Sequence, residues 1–245
     1  MKINKNNLLK FLKLVGISGE IENKEALLSI EDKLLKVLTL STGKYVIFYG
    51  FLKDNFEKIE DIGIDNIQEL IEYITNFENE TINLIKKENK LIFDSIDRLT
   101  KEDKLKISYL LKNPDYIVNK LEINKYNEIL KKAQGNEFTP SKKILQKIIS
   151  YSDSFKTNNL ILETYNKNKL SLFIEDSSEN NLLAEFDVKV NEDFNIKISK
   201  ILIDIFKIID LNDNIELSIK NDSPFKIRVY NDNYEAIYLI ALLKK

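Results

Sequence analysis

The chain has 245 residues, of which 43% are hydrophobic and 31% charged, and its 37 basic residues nearly balance 39 acidic ones. This is the composition of a soluble globular protein with one large domain or two ordinary ones, and it does not indicate a globally basic nucleic-acid-binding protein. There is no cysteine and no histidine, which excludes disulfides, thiolate metal sites and the usual general base of catalysis.

Four amphipathic helices are predicted, each from an apolar triplet at positions i, i+1 and i+4 that lies on one helix face. The triplets are Leu8/Leu9/Leu12, Leu70/Ile71/Ile74, Ile144/Leu145/Ile148 and Ile201/Leu202/Ile205. They predict helices over 4–15, 65–76, 140–151 and 194–209. The expected N-caps of the first three are Asn4 or Asn6, Asp65, and Thr139 followed by Pro140.

Each helix is followed by short runs with the alternation and the bounding turn residues that are typical of strands. The runs are 19–23, 26–32, 34–42 and 44–53; then 81–87, 90–96 and 104–111; then 159–165, 169–176 and 181–190; and finally 215–220, 225–230 and 234–245. A helix with about three strands, repeated four times, predicts an α+β fold in which helices cover antiparallel sheets.

The helix spacing divides the chain into two domains. The distance along the chain from the second apolar triplet to the third is the longest of the three distances. The additional residues fall in a stretch that fits neither the helix period nor the strand period throughout. We therefore predict an N-terminal domain over 1–112, a connector over 113–135 and a C-terminal domain over 136–245, with two helix-and-strand units in each domain. Residues 125–132 (KYNEILKK) of the connector fit either a strand or a short helix.

This arrangement resembles the DNA sliding clamps of the PCNA family. The C-terminal stretch IELSIKNDSPFKIRVYNDNYEAIYLIALL is similar to the end of that family, where a strand, an Asn-Asp-x-Pro turn, a strand and a final hydrophobic strand follow one another. The residues that carry the resemblance are Asn221, Asp222, Pro224, Lys226 and the run from Tyr238 to Leu243. The rest of the chain matches by pattern, and its length is similar to that of the two-domain, trimeric clamps.

The resemblance implies a homotrimeric ring that encircles duplex DNA without regard to sequence and tethers a replicative DNA polymerase. An ATP-dependent clamp loader would open and close the ring, and the clamp itself would be no enzyme and would need no cofactor or metal. Because a closed ring holds DNA by topology, its contacts with the phosphates can be weak and salt-sensitive.

In such a ring the helices line the central hole, so their polar faces should carry lysine. Three of the four predicted helices do, and the predicted DNA-binding residues are Lys10, Lys13, Lys143, Lys147, Lys200 and Lys207. The second helix departs from this pattern, because its outward positions are Glu69, Glu72 and Asn76.

Subunit contacts are also implied by the resemblance. In this family the last strand of the first domain pairs with a strand of the next subunit's second domain, and by order these are 104–111 and 181–190. The predicted interface residues are Leu105, Ile107, Tyr109, Leu111, Leu183, Glu185 and Asp187. Either strand could instead lie inside its sheet. Partner peptides would dock beneath the connector, near Tyr116 and Ile117, and on the C-terminal run.

Two other classes of protein compete with a ring. An enzyme would have to use adjacent acidic pairs such as Glu31/Asp32 or Glu175/Asp176, which point to opposite faces of a strand and do not converge on one substrate. A scaffold with the clamp fold, either a monomeric processivity factor or a subunit of a heteromeric ring, would show the same repeat. No apolar run reaches membrane-spanning length and MKINKNN lacks the core of a signal peptide, so we expect a cytoplasmic protein with no membrane partner.

Overall fold

The structure is a computed structural model that describes residues 1–17, 23–54, 56–96, 104–154, 159–166, 169–175, 181–188, 190 and 192–243. Its first half contains β1 (Lys2–Asn4), α1 (Lys5–Gly16), β2 (Ala26–Glu31), β3 (Leu34–Leu40), β4 (Val46–Lys53), β5 (Ile62–Ile64), α2 (Ile67–Thr75), β6 (Thr81–Lys87), β7 (Lys90–Ile96) and β8 (Lys104–Leu110). A 3-10 turn (Pro114–Tyr116) and α3 (Ile123–Lys132) follow. The second half contains β9 (Asn136–Phe138), α4 (Lys142–Ser152), β10 (Asn159–Asn166), β11 (Lys169–Glu175), β12 (Asn181–Asp187), β13 (Asn195–Ser199), α5 (Ile201–Ile208), β14 (Asn214–Ile219), β15 (Phe225–Tyr230) and β16 (Tyr234–Ile240).

The fourfold repeat and the α+β class are confirmed, but the sequence does not predict the strand that lies directly before each of these helices. A strand precedes each of α1, α2, α4 and α5. These additional strands are exchanged between the two units of a half: β1 pairs with β6 and β5 with β2, while β9 pairs with β14 and β13 with β10. Each half is therefore held together by reciprocal strand pairing between its two units.

The strands form two four-stranded sheets and one central eight-stranded sheet. The outer sheets have the orders β1-β6-β7-β8 and β12-β11-β10-β13, and the central sheet has the order β5-β2-β3-β4-β16-β15-β14-β9. In the central sheet β4 pairs antiparallel with β16, from Val46 opposite Ile240 to Leu52 opposite Tyr234. The sheet thus passes from one half of the chain to the other without interruption. The domain limits at 112 and 136 stay a prediction.

Helices cover both faces of the central sheet. On one face Phe11 of α1 packs edge-on against Phe48 of β4, which in turn packs against Tyr238 of β16. The buried Tyr238 hydroxyl donates a hydrogen bond to the carbonyl oxygen of Leu14 at 2.8 Å, so α1 is tied to the last strand. On the opposite face α3 packs over a separate cluster that includes Ile47, Tyr126, Ile237 and Leu239. The connector is therefore part of the folded core.

The start of the fourth helix was predicted wrongly. Residues 195–199 form β13, and α5 begins only at Ile201. Ile198 satisfies the helical spacing with Ile201, Leu202 and Ile205, but Ile196 and Ile198 also alternate with exposed neighbours and fill the buried side of a strand. The period of two decides here because β13 pairs with β10 over five residues.

The predicted N-caps differ by one or two residues from those observed in two helices. Asn4 caps α1 as predicted, by accepting a hydrogen bond from the Asn7 amide at 3.0 Å. Asn66, and not Asp65, caps α2 through the Glu69 amide at 3.1 Å. Ser141, and not Thr139, caps α4. Most of the predicted run at 19–23 lies outside the described residues.

Candidate nucleic-acid interface

The six lysines predicted to contact DNA occupy two kinds of position. Lys10 and Lys13 lie on the exposed face of α1, and Lys143 and Lys147 lie on that of α4, opposite the buried Leu145 and Ile148. Lys207 is exposed near the end of α5, whereas Lys200 is the N-cap residue of that helix and is half-buried. Lys200 therefore precedes the helical face on which the sequence places it.

Two of these lysines are engaged with carboxylates of the protein itself. The Lys10 ammonium lies 2.8 Å from the Asp210 carboxylate, which follows α5. This hydrogen bond raises the pKa of Lys10 and lowers that of Asp210. Lys207 forms an ion pair with Asp153 at the end of α4, and the hydrogen bond from Lys207 lowers the pKa of that carboxyl group. Phosphate contacts by either lysine must compete with these pairs.

Three of the predicted lysines are available to a ligand. Lys13, Lys143 and Lys147 are exposed, and within the described residues none of them forms an ion pair. On α4 they are joined by Lys142, a residue that sequence reasoning missed, whose ammonium donates a hydrogen bond to the Asn212 side chain. Its position at the start of an exposed helix next to Lys143 was a usable signal.

The second helix has the acidic face that the sequence predicts. Glu72 and Asn76 are exposed, and the half-buried Glu69 accepts a hydrogen bond from the Tyr73 hydroxyl at 2.6 Å. The four helices α1, α2, α4 and α5 are here called the helix layer. The unpaired positive charge of this layer is therefore concentrated on α1 and α4, whereas α2 carries acidic side chains.

The two strands predicted to form subunit contacts are both edge strands. Among the residues that the structure describes, β8 pairs only with β7, and β12 pairs only with β11. Within this part of the chain neither strand lies inside its sheet, so each presents one side to which no described strand is paired. Free edges of this kind are sites at which another strand can add.

The predicted interface residues fall on different sides of these two edge strands. On β8, Ile107 and the buried Tyr109 face the core, and the Tyr109 hydroxyl donates a hydrogen bond to the Asn66 carbonyl at 3.2 Å. On β12, Leu183 and Asp187 are exposed on the outer face, and Glu185 pairs with Lys169 at 2.9 Å. Leu105 and Leu111, the remaining two, lie on the same side of the chain as Tyr109; Leu105 is exposed and Leu111 is half-buried. Sequence reasoning missed Leu110, which is 64% exposed on the outer face.

The connector is anchored by one carboxylate. The Glu25 side chain accepts hydrogen bonds from the Lys112 ammonium and from the Val118 amide, the latter at 3.1 Å. Burial alone would raise the pKa of Glu25, but these two hydrogen bonds hold it below its ordinary value. Of the two residues predicted to line a partner site, Tyr116 is 70% exposed and Ile117 is buried. Val118, next to them, is 80% exposed.

A groove of about 910 Å³ lies beside the end of the chain. Its walls are residues 193–197, the Asn-Asp-Ser-Pro turn at 221–224, and residues 241–243. The turn is held in place because the Asn221 side chain donates hydrogen bonds to the Glu192 carboxylate and the Asp193 carbonyl. The last strand is held at its end by the Ala241 amide, which donates to the Tyr45 carbonyl at 2.8 Å.

The described part of the chain shows neither a candidate metal site nor a candidate membrane-spanning helix. Among those residues no group of acidic side chains could hold a metal ion, and no helix is long and apolar enough to cross a bilayer.

A layer of four helices over antiparallel sheets is the arrangement of the sliding-clamp fold, and solved structures agree. The chain is similar to the proliferating cellular nuclear antigen (PCNA) of Entamoeba histolytica, with a TM-score of 0.77 and 13% identity over 99% of this chain and 98% of that one. It is also similar to A. fulgidus PCNA, solved with the C-terminal region of FEN-1 bound, with a TM-score of 0.75 and 12% identity over 100% and 98% of the two chains. No family model and no curated protein matches the sequence. The chain therefore has the PCNA-like fold over its whole length.

Proposed function

We propose that this protein is a DNA sliding clamp, a ring of three identical subunits that encircles duplex DNA and tethers the replicative polymerase. The observation that carries the proposal is the match to PCNA over the full length of both chains. The free edges of β8 and β12 supply the strands from which a head-to-tail ring can be built. The clamp would perform no chemistry, and an ATP-dependent loader would open and close it.

Retention by a ring requires little affinity for DNA. The exposed lysines of α1 and α4 attract phosphates without reading base sequence, because contacts to phosphate carry no sequence information. The Lys10–Asp210 and Lys207–Asp153 pairs reduce the free positive charge of the helix layer. The expected result is weak, salt-sensitive contact that permits sliding.

Partners are proposed to dock where the connector meets the end of the chain. A. fulgidus PCNA was solved with the C-terminal region of FEN-1 bound, which is a terminal segment of another protein. In this chain the exposed Tyr116 and Val118 offer apolar surface to such a segment, and the groove beside 221–224 offers both polar and apolar side chains. The polymerase is expected to use the same surface.

The oligomeric state and the topology of DNA binding test the proposal. We expect a native mass about three times 28.6 kDa. Once loaded, the protein should persist on closed circular DNA and be lost when the circle is cut. A stable monomer at micromolar concentration would favour the monomeric processivity factor, and assembly only with another protein would favour the heteromeric ring.

The DNA-facing surface has its own test with a matched control. Lys13, Lys143 and Lys147 are changed together to Gln, which should lower the slope of log K against log salt by up to about 3, since each phosphate contact contributes about 0.9. The control changes Lys125, Lys131 and Lys132 of α3, which are equally exposed but lie on the opposite face of the central sheet. Equal loss of binding in both variants would contradict the assignment of the helix layer.

A further inference from the structure

The outer sheet of the first half, β1-β6-β7-β8, has one face toward the core and one toward solvent. Leu84, Leu91 and Phe93 are buried on the core side. Because side chains alternate between the two faces of a sheet along each strand, the residues between these three point outward. The outward side is here called the basic face. Its described lysines, all exposed, are Lys2, Lys87, Lys90 and Lys106.

The strand register arranges the outward side chains in three rows that run across the sheet. Lysines lie in the two outer rows, and isoleucines form the middle one. The rows are Lys2/Lys106, Ile85/Ile92 and Lys87/Lys90. Successive rows are two residues apart along each strand, which is about 7 Å, so the two rows of lysine are separated by about 14 Å.

Two lysines of the third row lie directly opposite each other. Lys87 and Lys90 are the last residue pair between β6 and β7, next to the turn that joins these strands. Like charges directly opposite in a ladder are unfavourable. Within the described residues neither lysine forms an ion pair, whereas Lys86, on the other side of the same strand, is paired with Glu60 at 2.5 Å. A bound anion would relieve the repulsion between Lys87 and Lys90.

The first row is partly neutralised. Asp94 lies opposite Lys106 in the pairing of β7 with β8, and its carboxylate accepts a hydrogen bond from the Asn83 side chain at 2.7 Å. On these four strands it is the one carboxylate that points outward among the described side chains. The basic face thus has four lysines against one carboxylate, and its unneutralised charge is concentrated in the third row.

The middle row offers apolar surface between the two rows of lysine. The Ile85 side chain is 45% exposed, and Ile92, opposite it, lies buried among its neighbours. Leu110, next to Lys90 in the third row, is 64% exposed. An apolar side chain of a ligand could therefore be covered here while its charged groups reach the lysines.

The corresponding sheet of the second half does not share this charge. On the outward side of β12-β11-β10-β13, three carboxylates lie among two lysines within the described residues. They are Glu163, Glu185 and Asp187, with Lys169 and Lys197. Lys169 is moreover paired with Glu185 at 2.9 Å. The basic face is therefore a property of its own residues and is not a consequence of its position in the repeat.

We infer that the basic face binds an acidic segment of another protein, in which carboxylates about 14 Å apart flank an apolar side chain. The carboxylates would lie over the two rows of lysine, and the apolar side chain over Ile85 and Ile92. The inference goes beyond the proposed function and does not depend on it, because the whole surface belongs to one half of a single chain.

The side chains of this face favour a peptide over a nucleic acid. Proteins that bind single strands place aromatic side chains under the bases in addition to a positive groove. In the described part of the basic face the exposed large side chains are Ile85 and Leu110, which are aliphatic. Aliphatic surface between cationic rows is complementary to a segment that combines carboxylates with leucine or a similar residue.

Binding of a synthetic peptide tests the inference. The probe is fluorescein-labelled Asp-Asp-Ser-Leu-Ser-Asp-Asp, measured by fluorescence anisotropy at low salt. The double variant Lys87→Gln with Lys90→Gln should weaken binding about two- to twentyfold, because each exposed charge pair contributes modestly. The matched control, Lys125→Gln with Lys132→Gln, makes the same charge change on α3 and should bind as the unmodified protein does.

Each outcome decides the inference. Equal affinity of the two double variants would overturn it. Equal binding of the same peptide with Ser in place of Leu would overturn the role of the Ile85 row. If a single-stranded oligonucleotide of equal charge binds more tightly than the peptide and is lost in the Lys87/Lys90 variant, the face binds nucleic acid and the inference is wrong. A change of native mass in that variant, with peptide affinity unaltered, would identify a second copy as the occupant and overturn the inference as well.

Urea denaturation supplies a second, independent measurement. Lys90→Gln removes the repulsion with Lys87, and Lys90→Glu replaces it with an attraction. The urea midpoint should therefore rise from the unmodified protein to Lys90→Gln and again to Lys90→Glu, while peptide affinity falls in the same order. Salt screens exposed charges, so these differences should shrink at high salt. A lower midpoint in both variants would contradict the cost assigned to the opposed lysines.

Discussion

The ammonium of Lys10 lies 2.8 Å from the carboxylate of Asp210, joining α1 to the end of α5 across 200 residues of the chain. A residue predicted to bind phosphate is thus neutralised by the protein itself. If the helices contact DNA as proposed, their affinity for it should depend on carboxylates as well as on lysines.

Asp210→Asn should therefore strengthen DNA binding. The amide oxygen can still accept the hydrogen bond from the Asn212 amide, which now goes to the Asp210 carboxylate at 3.0 Å, while Lys10 is released. We expect the slope of log K against log salt to steepen by up to about 0.9, the contribution of one phosphate contact. Duplex binding measured by fluorescence anisotropy at several salt concentrations checks this. Asp232→Asn, in the exposed turn before β16, makes the same charge change elsewhere and should have no such effect.

The acidic face of α2 offers the opposite test. If α2 faces the DNA as α1 and α4 are proposed to do, Glu72→Lys should increase DNA affinity and steepen the salt dependence by up to about 0.9, since the new lysine can neutralise one phosphate. Glu128→Lys on the exposed side of α3 is the matched control. An effect no larger than that of the control would mean that α2 lies away from the duplex.

Two buried tyrosines should respond in opposite directions to loss of the hydroxyl group. Among the described residues, the Tyr126 hydroxyl is buried without a hydrogen-bond partner, whereas the Tyr234 hydroxyl is bonded to Asp213. An unsatisfied buried polar group costs about 1–3 kcal/mol. Tyr126→Phe should therefore leave the free energy of unfolding unchanged or raise it, and Tyr234→Phe should lower it by about 1–2 kcal/mol. Urea denaturation of both variants measures this, and a clear loss of stability in Tyr126→Phe would contradict the prediction.

The anchor of the connector should be sensitive to acid. The pKa of Glu25 is held below its ordinary value of 4.5 by Lys112 and Val118. Since the folded state binds the proton less tightly than the unfolded state, the carboxylate contributes stability at neutral pH, and this is lost as the pH falls through the lowered pKa. Glu25→Gln should cost about 1–2 kcal/mol at pH 7, and the difference from the unmodified protein should shrink below about pH 4. Glu122→Gln, an exposed carboxylate in the same connector, should show no such pH dependence.

The repeat could be predicted from the sequence because its signal is local. Each apolar triplet lies within one helix, and each long strand alternates within seven or eight residues. The strands β1, β5 and β9 have only three residues each, too few to establish a period of two. They exist because a distant strand pairs with them, and such pairing leaves no mark in the local sequence. The helical spacing of Tyr126, Ile129, Leu130 and Ala133 was, by contrast, a sufficient signal for α3.

The candidate site could be predicted only incompletely for a similar reason. The exposed lysines of α4 follow from helix periodicity. The engagement of Lys10 by Asp210 could not be predicted, since the partners come together only when both halves have folded. The burial of Tyr109 depends likewise on its contact with Asn66, which caps α2 more than 40 residues earlier in the chain. The spacing of residues along a helix or strand predicts which face each one occupies. Which other residues that face contacts is determined by tertiary packing.

The pairing of β4 with β16 indicates where the proposed ring would open. Seven residue pairs join the two halves of one chain, and this seam is covered by α1 on one side and by α3 on the other. In the proposed ring, the joint between copies would rest on the edge strands β8 and β12, and no helix-covered seam of this kind is proposed there. A loader that opens the proposed ring would therefore separate two neighbouring copies, and would not separate the two halves of one copy. Each copy would then move as one rigid body, without bending at the pairing of β4 with β16.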